Sequence, residues 1–152
     1  MIIVIDTREQ RPWKFPAWLE TRRGTLRTGD YALDGDLAFA VERKGLDDFL
    51  GTVSTGWERF VREIERMGDW GCRVIVVEGN LEDCCWHWVN GNMIAPSHNH
   101  PKLTPAFVMS RVADLTFMRV SVLFAGNSDI AAAVGYRLLK KRKDDLNGRT
   151  AG

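Results

Sequence analysis

Three residues able to support metal-assisted hydrolysis lie close together in the sequence: Asp30, Glu42 and Lys44. Side chains alternate between the two faces of a β-strand, so Glu42 and Lys44 would share one face while Arg43 points to the other. Carboxylate oxygens are the ligands that hard divalent cations prefer, and a nearby lysine can position or deprotonate a water molecule. These residue types therefore indicate metal-dependent hydrolysis, of the kind that cleaves phosphodiesters.

A predicted β-hairpin must bring these side chains together. Residues 25–33 and 37–44 read as two strands around an Asp-Gly-Asp sequence that favours a turn. A clean two-residue turn would send Asp30 and Glu42 to opposite faces of the sheet, because the side-chain period of a strand is two. A three-residue turn over residues 34–36, or one β-bulge, would bring both to one face. A shared metal site therefore predicts the odd turn or the bulge.

Length and composition limit the class of protein. The chain has 152 residues, of which 45% are hydrophobic and 27% charged, as expected for one ordinary globular domain. No apolar window is long enough to span a bilayer, and the N-terminus lacks the basic region of a signal peptide, so we expect a cytoplasmic protein. The formal net charge is only +1, so any surface that binds a polyanion must be local.

The remaining elements predict a single α/β domain. Buried strands are predicted over residues 1–5, 73–77 and 119–124, and helices over residues 17–23, 45–53 and 81–89, from Trp57, from Thr104-Pro105 and from Asn127 or Ser128. The hairpin must be antiparallel, whereas strands separated by helices can run parallel. We predict a mixed β-sheet flanked by helices over residues 1–143, followed by a frayed tail over residues 144–152.

Two acidic residues fall at the ends of predicted buried strands. Asp6 follows the first strand, where it could belong to a site at the sheet rim or serve only as a strand cap. Glu78 occupies the same position after a later strand, and we give it a lower rank for the chemistry.

The wider set of motifs is more specific than any single residue. The first strand ends in Asp6-Thr7-Arg8-Glu9, the hairpin opens with Gly29-Asp30-Tyr31, and Glu42-Arg43-Lys44 is followed by Asp48. This string resembles the D-x-R-E, GDY and E-R-K-x-x-x-D motifs of the XPF-type structure-specific endonuclease family, which includes the archaeal Hef nuclease. The resemblance covers roughly residues 1–143.

The resemblance implies a restriction-endonuclease-like fold and hydrolysis of DNA phosphodiesters with Mg²⁺ or Mn²⁺, often at branched DNA or duplex/single-strand junctions. By position, Asp30, Glu42 and the backbone of Arg43 would bind the metal, and Lys44 would assist the water. Asp6, Arg8 and Asp48 would complete the catalytic set, with Asp6 a further candidate metal ligand.

Candidate DNA contacts come from basic residues outside these motifs. Arg22, Arg23 and Arg27 lie near the site in sequence, so we predict that they contact the DNA backbone. Lys140 and Lys141 belong to a basic run that fits either phosphate binding or a solvated helix end complementing the helix dipole.

The family's eukaryotic and archaeal members usually carry a tandem helix-hairpin-helix module after the nuclease core. We expect a stand-alone nuclease domain here, because the core occupies residues 1–143. The resemblance also implies a homodimer through residues 107–139 or a separate DNA-binding partner. Two alternatives to an independent nuclease are a non-catalytic DNA-binding module and a nuclease subunit that needs a partner.

A second group of residues has metal-binding chemistry but an unusual spacing. The group comprises Cys84, Cys85, His87, His98 and His100. Adjacent cysteines and an H-x-H pair do not match the usual zinc frameworks. The other interpretation is a pair of buried thiols beside a histidine-containing loop.

Overall fold

The computed structural model describes residues 1–66, 72–96 and 103–150. Its strands are β1 (Ile2–Asp6), β2 (Glu20–Gly24), β3 (Tyr31–Leu33), β4 (Phe39–Gly45), β5 (Cys72–Glu78), β6 (His87–Val89), β7 (Asn92–Ile94) and β8 (Val120–Phe124). Its helices are α1 (Leu46–Val53), α2 (Trp57–Arg66), α3 (Pro105–Phe117) and α4 (Ser128–Thr150).

Six strands form one mixed sheet in the order β2-β1-β3-β4-β5-β8. The strand pairs β1–β2, β4–β5 and β5–β8 are parallel, whereas β3 runs antiparallel to both of its neighbours, β1 and β4. Strands β6 and β7 form a separate antiparallel hairpin. The mixed α/β fold predicted from the sequence is confirmed.

Two hydrophobic clusters cover the two faces of this sheet. Val74 and Val76 of β5 pack in the cluster that contains Ala131 and Leu139 of α4. The alternate residues of β5, Ile75 and Val77, pack in the cluster that contains buried residues of α1, α2 and α3. Because neighbouring side chains of β5 lie in different clusters, the central sheet is covered by helices on both faces.

The predicted hairpin forms with an odd connection. Five residues, 34–38, join β3 to β4, and Tyr31 pairs with Val41. The connection is longer than the three residues predicted, because the side chain of Asp36 accepts a hydrogen bond from the Ala38 N–H at 2.9 Å and binds Arg142 of α4 at 2.7 Å. The predicted odd length is confirmed. A turn over residues 34–36 would pair Tyr31 with Phe39, so the observed pairing of Tyr31 with Val41 is shifted by two residues along β4.

Two helix predictions are wrong. Residues 17–23 lead into β2, which pairs in parallel with β1, so hydrogen bonding to the edge of the sheet replaces the local helix. Residues 81–89 contain a short 3-10 turn, Glu82–Cys84, followed by β6. Burial of Cys84 and Cys85 in the core turns the chain there before it enters the β6–β7 hairpin.

The last helix is longer than the sequence predicted. Helix α4 continues through Thr150, although a frayed tail was expected from residue 144. Two i,i+4 ion pairs, Lys140 with Asp144 and Lys141 with Asp145, support the added turns. Within the described part of the chain, no helix combines the length and the apolar character needed to cross a membrane.

Candidate active site

Asp30 and Glu42 lie level with each other on neighbouring chain segments at one edge of the hairpin. Tyr31 pairs with Val41. Asp30 precedes Tyr31 and Glu42 follows Val41, so these two residues come to the same level along the hairpin. The backbone N–H of Asp30 donates to the Val41 carbonyl at 2.9 Å, which holds the two segments together at this point. The charge of Glu42 acts on Asp30 and both side chains line one cleft, so the two carboxylates face the same space.

The negative charge of Glu42 lies close enough to Asp30 to disfavour ionisation of the Asp30 carboxyl. Burial, followed by the negative charge of Glu42, raises the pKa of Asp30 to about 7 from an ordinary 3.8. The hydrogen bond from the Arg43 N–H to Oδ2 of Asp30, at 2.8 Å, acts in the opposite direction. A partly buried pair of carboxylates that repel each other is a site that a cation would stabilise.

Lys44 projects to the same side of β4 as Glu42. Its Nζ atom donates to Oε1 of Glu42 at 3.1 Å, and its side chain is mostly buried. The alternation predicted for this strand places Lys44 beside the carboxylate pair, where its ammonium group can also reach a water molecule or a phosphate oxygen.

The side chain of Arg43 points away from this pair and is fixed on the opposite face of the sheet. Its guanidinium makes two hydrogen bonds to Glu78, at 2.8 and 2.7 Å, and lies 3.5 Å from the carboxylate of Glu9. Trp13 donates to the same Glu78 carboxylate at 2.8 Å. Since the side chain is held in this way, Arg43 presents only its backbone to the carboxylate pair.

Asp6 has a different position from the other predicted site residues. Its side chain is 1% exposed, and its oxygens accept hydrogen bonds from the backbone N–H groups of Arg8 and Leu26 and from the Arg8 guanidinium. The hydrogen bond from Arg8 is the main reason that the pKa of Asp6 falls to about 2. With both oxygens engaged, Asp6 fixes the loop after β1 and orients Arg8.

An open cleft of about 960 Å³ lies over the carboxylate pair. Its lining includes six of the seven residues predicted to be catalytic: Arg8, Asp30, Glu42, Arg43, Lys44 and Asp48. The first turn of α1 contributes Asp48 as an exposed acid, in the position predicted for it. Asp6 is the predicted residue that does not line this cleft, which we call the Asp30–Glu42 cleft.

The basic residues predicted to contact DNA do not line the Asp30–Glu42 cleft, and the structure gives most of them other partners. Arg22 forms an ion pair with Asp34, and Lys140 and Lys141 form the ion pairs within α4. Arg23 donates to the backbone carbonyls of Asp6 and Glu9, at 2.8 and 2.9 Å. Arg27 is exposed.

Arg11 and Arg59 line the cleft although the sequence did not single them out as site residues. Glu9 also lines it, and its place in the D-x-R-E motif was the signal that could have drawn attention to it. For Arg59 the signal is weaker, because one charge on the polar face of an amphipathic helix looks like its neighbours.

The structure describes the side chains of Cys84 and Cys85 among the possible zinc ligands. Cys84 and Cys85 are buried and form no disulfide, and burial raises the pKa of Cys84 to about 12. A thiol with a raised pKa resists the deprotonation that zinc ligation requires. The side chain of His87, and residues His98 and His100, lie outside the described parts of the structure.

The donors present at the cleft fit a hard divalent cation. Among the described residues, no group of three or more His, Cys, Asp or Glu side chains is arranged to hold a metal ion. Mg²⁺ in proteins often uses only one or two carboxylates and keeps several waters. Asp30, Glu42 and the backbone carbonyl of Arg43 supply such a set of oxygen donors.

Comparison with known proteins identifies a solved structure of the same fold. The structure matches XPF from Aeropyrum pernix with a TM-score of 0.65 and 19% sequence identity, covering 95% of this chain and 68% of that one. This likeness shows the restriction-endonuclease-like fold. No curated protein matches the chain by sequence.

The model of the ERCC4 domain family matches residues 5–137, a span that contains both the hairpin and the cleft. The protein belongs to the ERCC4 domain family, a family of structure-specific DNA endonucleases whose nucleases are generally dependent on divalent metals.

Proposed function

We propose that this protein is a Mg²⁺- or Mn²⁺-dependent DNA endonuclease that hydrolyses phosphodiester bonds, with branched or junction-containing DNA as its substrate. The observation that carries the proposal is the pair Asp30 and Glu42, level with each other beneath an open cleft, with Lys44 donating to Glu42 at 3.1 Å. Membership of the ERCC4 domain family supports the substrate class.

Each residue of the cleft has a distinct task in this proposal. Asp30, Glu42 and the Arg43 carbonyl hold the cation, and the hydrogen bond from the Arg43 N–H fixes the orientation of Asp30. A bound divalent cation lowers the pKa of water and neutralises charge that develops on the phosphate. Lys44 orients the attacking water, whose oxygen forms the new bond to phosphorus while the bond to one ester oxygen breaks. The water loses one proton to solvent, and the leaving oxygen takes up a proton to become a hydroxyl group. Arg8 and Asp48 complete the catalytic set at the rim of the cleft.

The test compares linear duplex, single-stranded, flap and forked DNA, each with EDTA, Mg²⁺ or Mn²⁺. We expect cleavage of the branched substrates in either metal and none in EDTA. Lys44→Ala should lower the rate by roughly 10²- to 10⁴-fold, the usual contribution of a group that positions or transfers a proton. Glu42→Ala should also lower the metal-induced rise in melting temperature. Cleavage that survives both substitutions would contradict the proposal.

A second candidate function is a nuclease subunit that acquires its DNA contacts from a partner. The ion pairs of three predicted DNA contacts favour this second function. Arg22, Lys140 and Lys141 already bind carboxylates of the same chain, so DNA contacts would have to come from elsewhere. Metal-dependent DNA binding without cleavage would instead support a non-catalytic DNA-binding module. Cleavage by the isolated chain would exclude both alternatives.

We also propose a homodimer through residues 107–139. Ile130, Val134 and Leu138 line a shallow apolar groove of about 340 Å³ on α4, and Ile130 is half exposed. Light scattering of the purified protein gives the mass directly. Ile130→Glu should convert a dimer into a monomer, and a wild-type monomer at high concentration would contradict this part of the proposal.

A further inference from the structure

The Asp30–Glu42 cleft does not attract a polyanion by its overall charge. Among the described residues, six acidic and five basic side chains line it. Three of the five basic groups are ion-paired inside the protein: Arg8 with Asp6, Arg43 with Glu78, and Lys44 with Glu42. A DNA backbone entering this cleft therefore meets carboxylates whose repulsion must be offset by specific contacts.

The other two basic residues of the cleft are Arg11 and Arg59. Both are exposed, and within the described residues neither guanidinium has a hydrogen-bond or ion-pair partner. By contrast, Arg62 on the same helix as Arg59 is paired with Glu58 at 3.9 Å and does not line the cleft. An unpaired guanidinium retains its full set of donors for an incoming phosphate.

Arg59 lies directly beside the hydrolytic residues. A smaller pocket of about 100 Å³ adjoins the cleft between α2 and strands β4 and β5, and Glu42, Lys44 and Arg59 line both cavities. The exposed side chain of Arg59 therefore lies at the same cavities as Glu42 and Lys44, and of the other charged residues of α2 only Glu63 lines either cavity.

Arg11 belongs to the segment that follows β1. The sheet order places the end of β1 on the β3 side of β4, whereas the smaller pocket that Arg59 lines extends to Arg73, Val74 and Ile75 of β5, on the other side of β4. The backbone N–H of Arg11 donates to Glu9 at 2.6 Å, and Glu9 in turn faces Arg43. The loop that carries Arg11 is therefore tied to the strand that carries the site.

We infer that Arg59 and Arg11 bind two phosphates of the DNA backbone, one on each side of the scissile phosphate. This inference rests on the proposed function and deepens it. Two guanidinium groups on opposite flanks fix the direction in which the strand crosses Asp30 and Glu42. In this inference Arg59 and Arg11, rather than the basic residues outside the cleft, hold the substrate in register.

The first experiment measures DNA affinity as a function of salt in a Lys44→Ala background, which suppresses cleavage. For duplex DNA, each phosphate contact contributes about −0.9 to the slope of log K against log salt. We expect Arg59→Ala and Arg11→Ala each to flatten the slope by about 0.9 and to weaken binding roughly tenfold, and the double variant to flatten it by about 1.8. Arg59→Lys should retain the slope, because it retains the charge.

Two control variants match the test positions. Arg62→Ala removes a charge from the same helix, and Lys14→Ala removes an exposed charge from the same connection between β1 and β2. Neither residue lines the cleft, so both should leave the slope unchanged and the affinity within twofold. The test residues are exposed, and equal melting temperatures would show that all variants are folded.

The second experiment measures cleavage in the wild-type background. Arg59→Ala should lower kcat/KM roughly tenfold while the Mg²⁺ concentration for half-maximal rate stays the same, because the proposed metal donors are intact. The inference is overturned if the wild type cleaves DNA and both arginine variants behave like the controls. If the wild type neither binds nor cleaves any DNA with either metal, the proposed function fails and this inference fails with it.

Discussion

The backbone N–H of Arg43 donates a hydrogen bond to Oδ2 of Asp30 at 2.8 Å, which joins the two segments of the hairpin at the site itself. The acceptor is the carboxylate that burial and Glu42 make hardest to ionise. The main chain of β4 therefore holds the Asp30 carboxylate in place, although its negative charge destabilises the folded protein.

Asp30→Asn should stabilise the metal-free protein at alkaline pH. Asparagine can still accept the Arg43 N–H, but it removes the charge that Glu42 repels. The pKa of Asp30 is higher in the folded state than in the unfolded state, so ionised Asp30 lowers stability above pH 3.8, with the full loss reached above about pH 7. Urea unfolding in EDTA at pH 8 should show a gain of at least about 1 kcal/mol.

The same comparison at pH 4 should show no gain, because Asp30 is then protonated in the folded protein. Asp47→Asn is the control, since Asp47 is an exposed acid in the first turn of α1 that also lines the cleft. An Asp30→Asn variant that is less stable than the wild type at pH 8 would show that the carboxylate pair is not strained.

Asp6→Asn should have the opposite effect on stability. The pKa of Asp6 falls to about 2, mainly through the Arg8 guanidinium, so the ionised carboxylate stabilises the folded state above pH 3.8 and loses this effect as the pH falls towards 2. We expect a loss of about 2 kcal/mol at pH 7. The difference between variant and wild type should narrow only below pH 4, measured by denaturant titration over pH 3 to 7; a constant difference would argue for a purely steric effect.

Glu78→Ala should destabilise the fold beneath the site. Arg43 and Glu78 are only 16% and 12% exposed, and removing the acid leaves the guanidinium with Glu9 at 3.5 Å as its remaining acidic partner among the described residues. Breaking a largely buried pair from one side costs roughly 3 kcal/mol. Glu58→Ala removes the acid of an exposed pair on α2 and should cost no more than about 0.5 kcal/mol. Similar losses from both variants would contradict this account.

Gly135→Ala tests the packing of α4 against the loop that carries Trp13. A Cβ atom at Gly135 would lie 2.2 Å from Cζ3 of Trp13, whose ring stacks on Tyr31 with centroids 4.3 Å apart. Since these rings cannot move without disturbing the core, we expect a loss of about 1–3 kcal/mol.

Gly148 supplies the matched control on the same helix. Within the described part of the chain, nothing outside its own helix backbone lies within 4 Å of a Cβ placed there, so Gly148→Ala should instead stabilise the helix by up to about 1 kcal/mol. Thermal melting of the two variants distinguishes a packing effect from a helix-propensity effect, because only packing predicts opposite signs.

The sequence predicted the hairpin and its carboxylates because both depend on local rules. Side-chain alternation placed Glu42 and Lys44 on one face, and the need for a shared face required an odd connection, which the structure has. The requirement for an odd number of residues did not determine the length of the connection. That length depends on the ion pair between Asp36 and Arg142, a residue of the last helix.

Two other elements show where local rules fail. Strand β2 is exposed along most of its length, so its extended conformation depends on pairing with β1 rather than on its own residues. The β6–β7 hairpin had a readable signal in Asn90-Gly91, whose backbone φ angles of 49° and 79° are those that such a turn requires. The ion pair of Arg22 with Asp34 joins residues of different segments and could not be predicted locally, whereas the partners of Lys140 and Lys141 lie four residues further along the same helix.

Strand β4 assigns different tasks to successive residues. Val41 is fully buried and Arg43 is anchored to Glu78, whereas Glu42 and Lys44 face the cleft. In evolutionary terms, selection for a folded protein acts on Val41 and Arg43, and selection for the proposed chemistry acts on Glu42 and Lys44. Under the proposed function, changes at Glu42 and Lys44 alone would remove the activity and leave an intact DNA-binding scaffold.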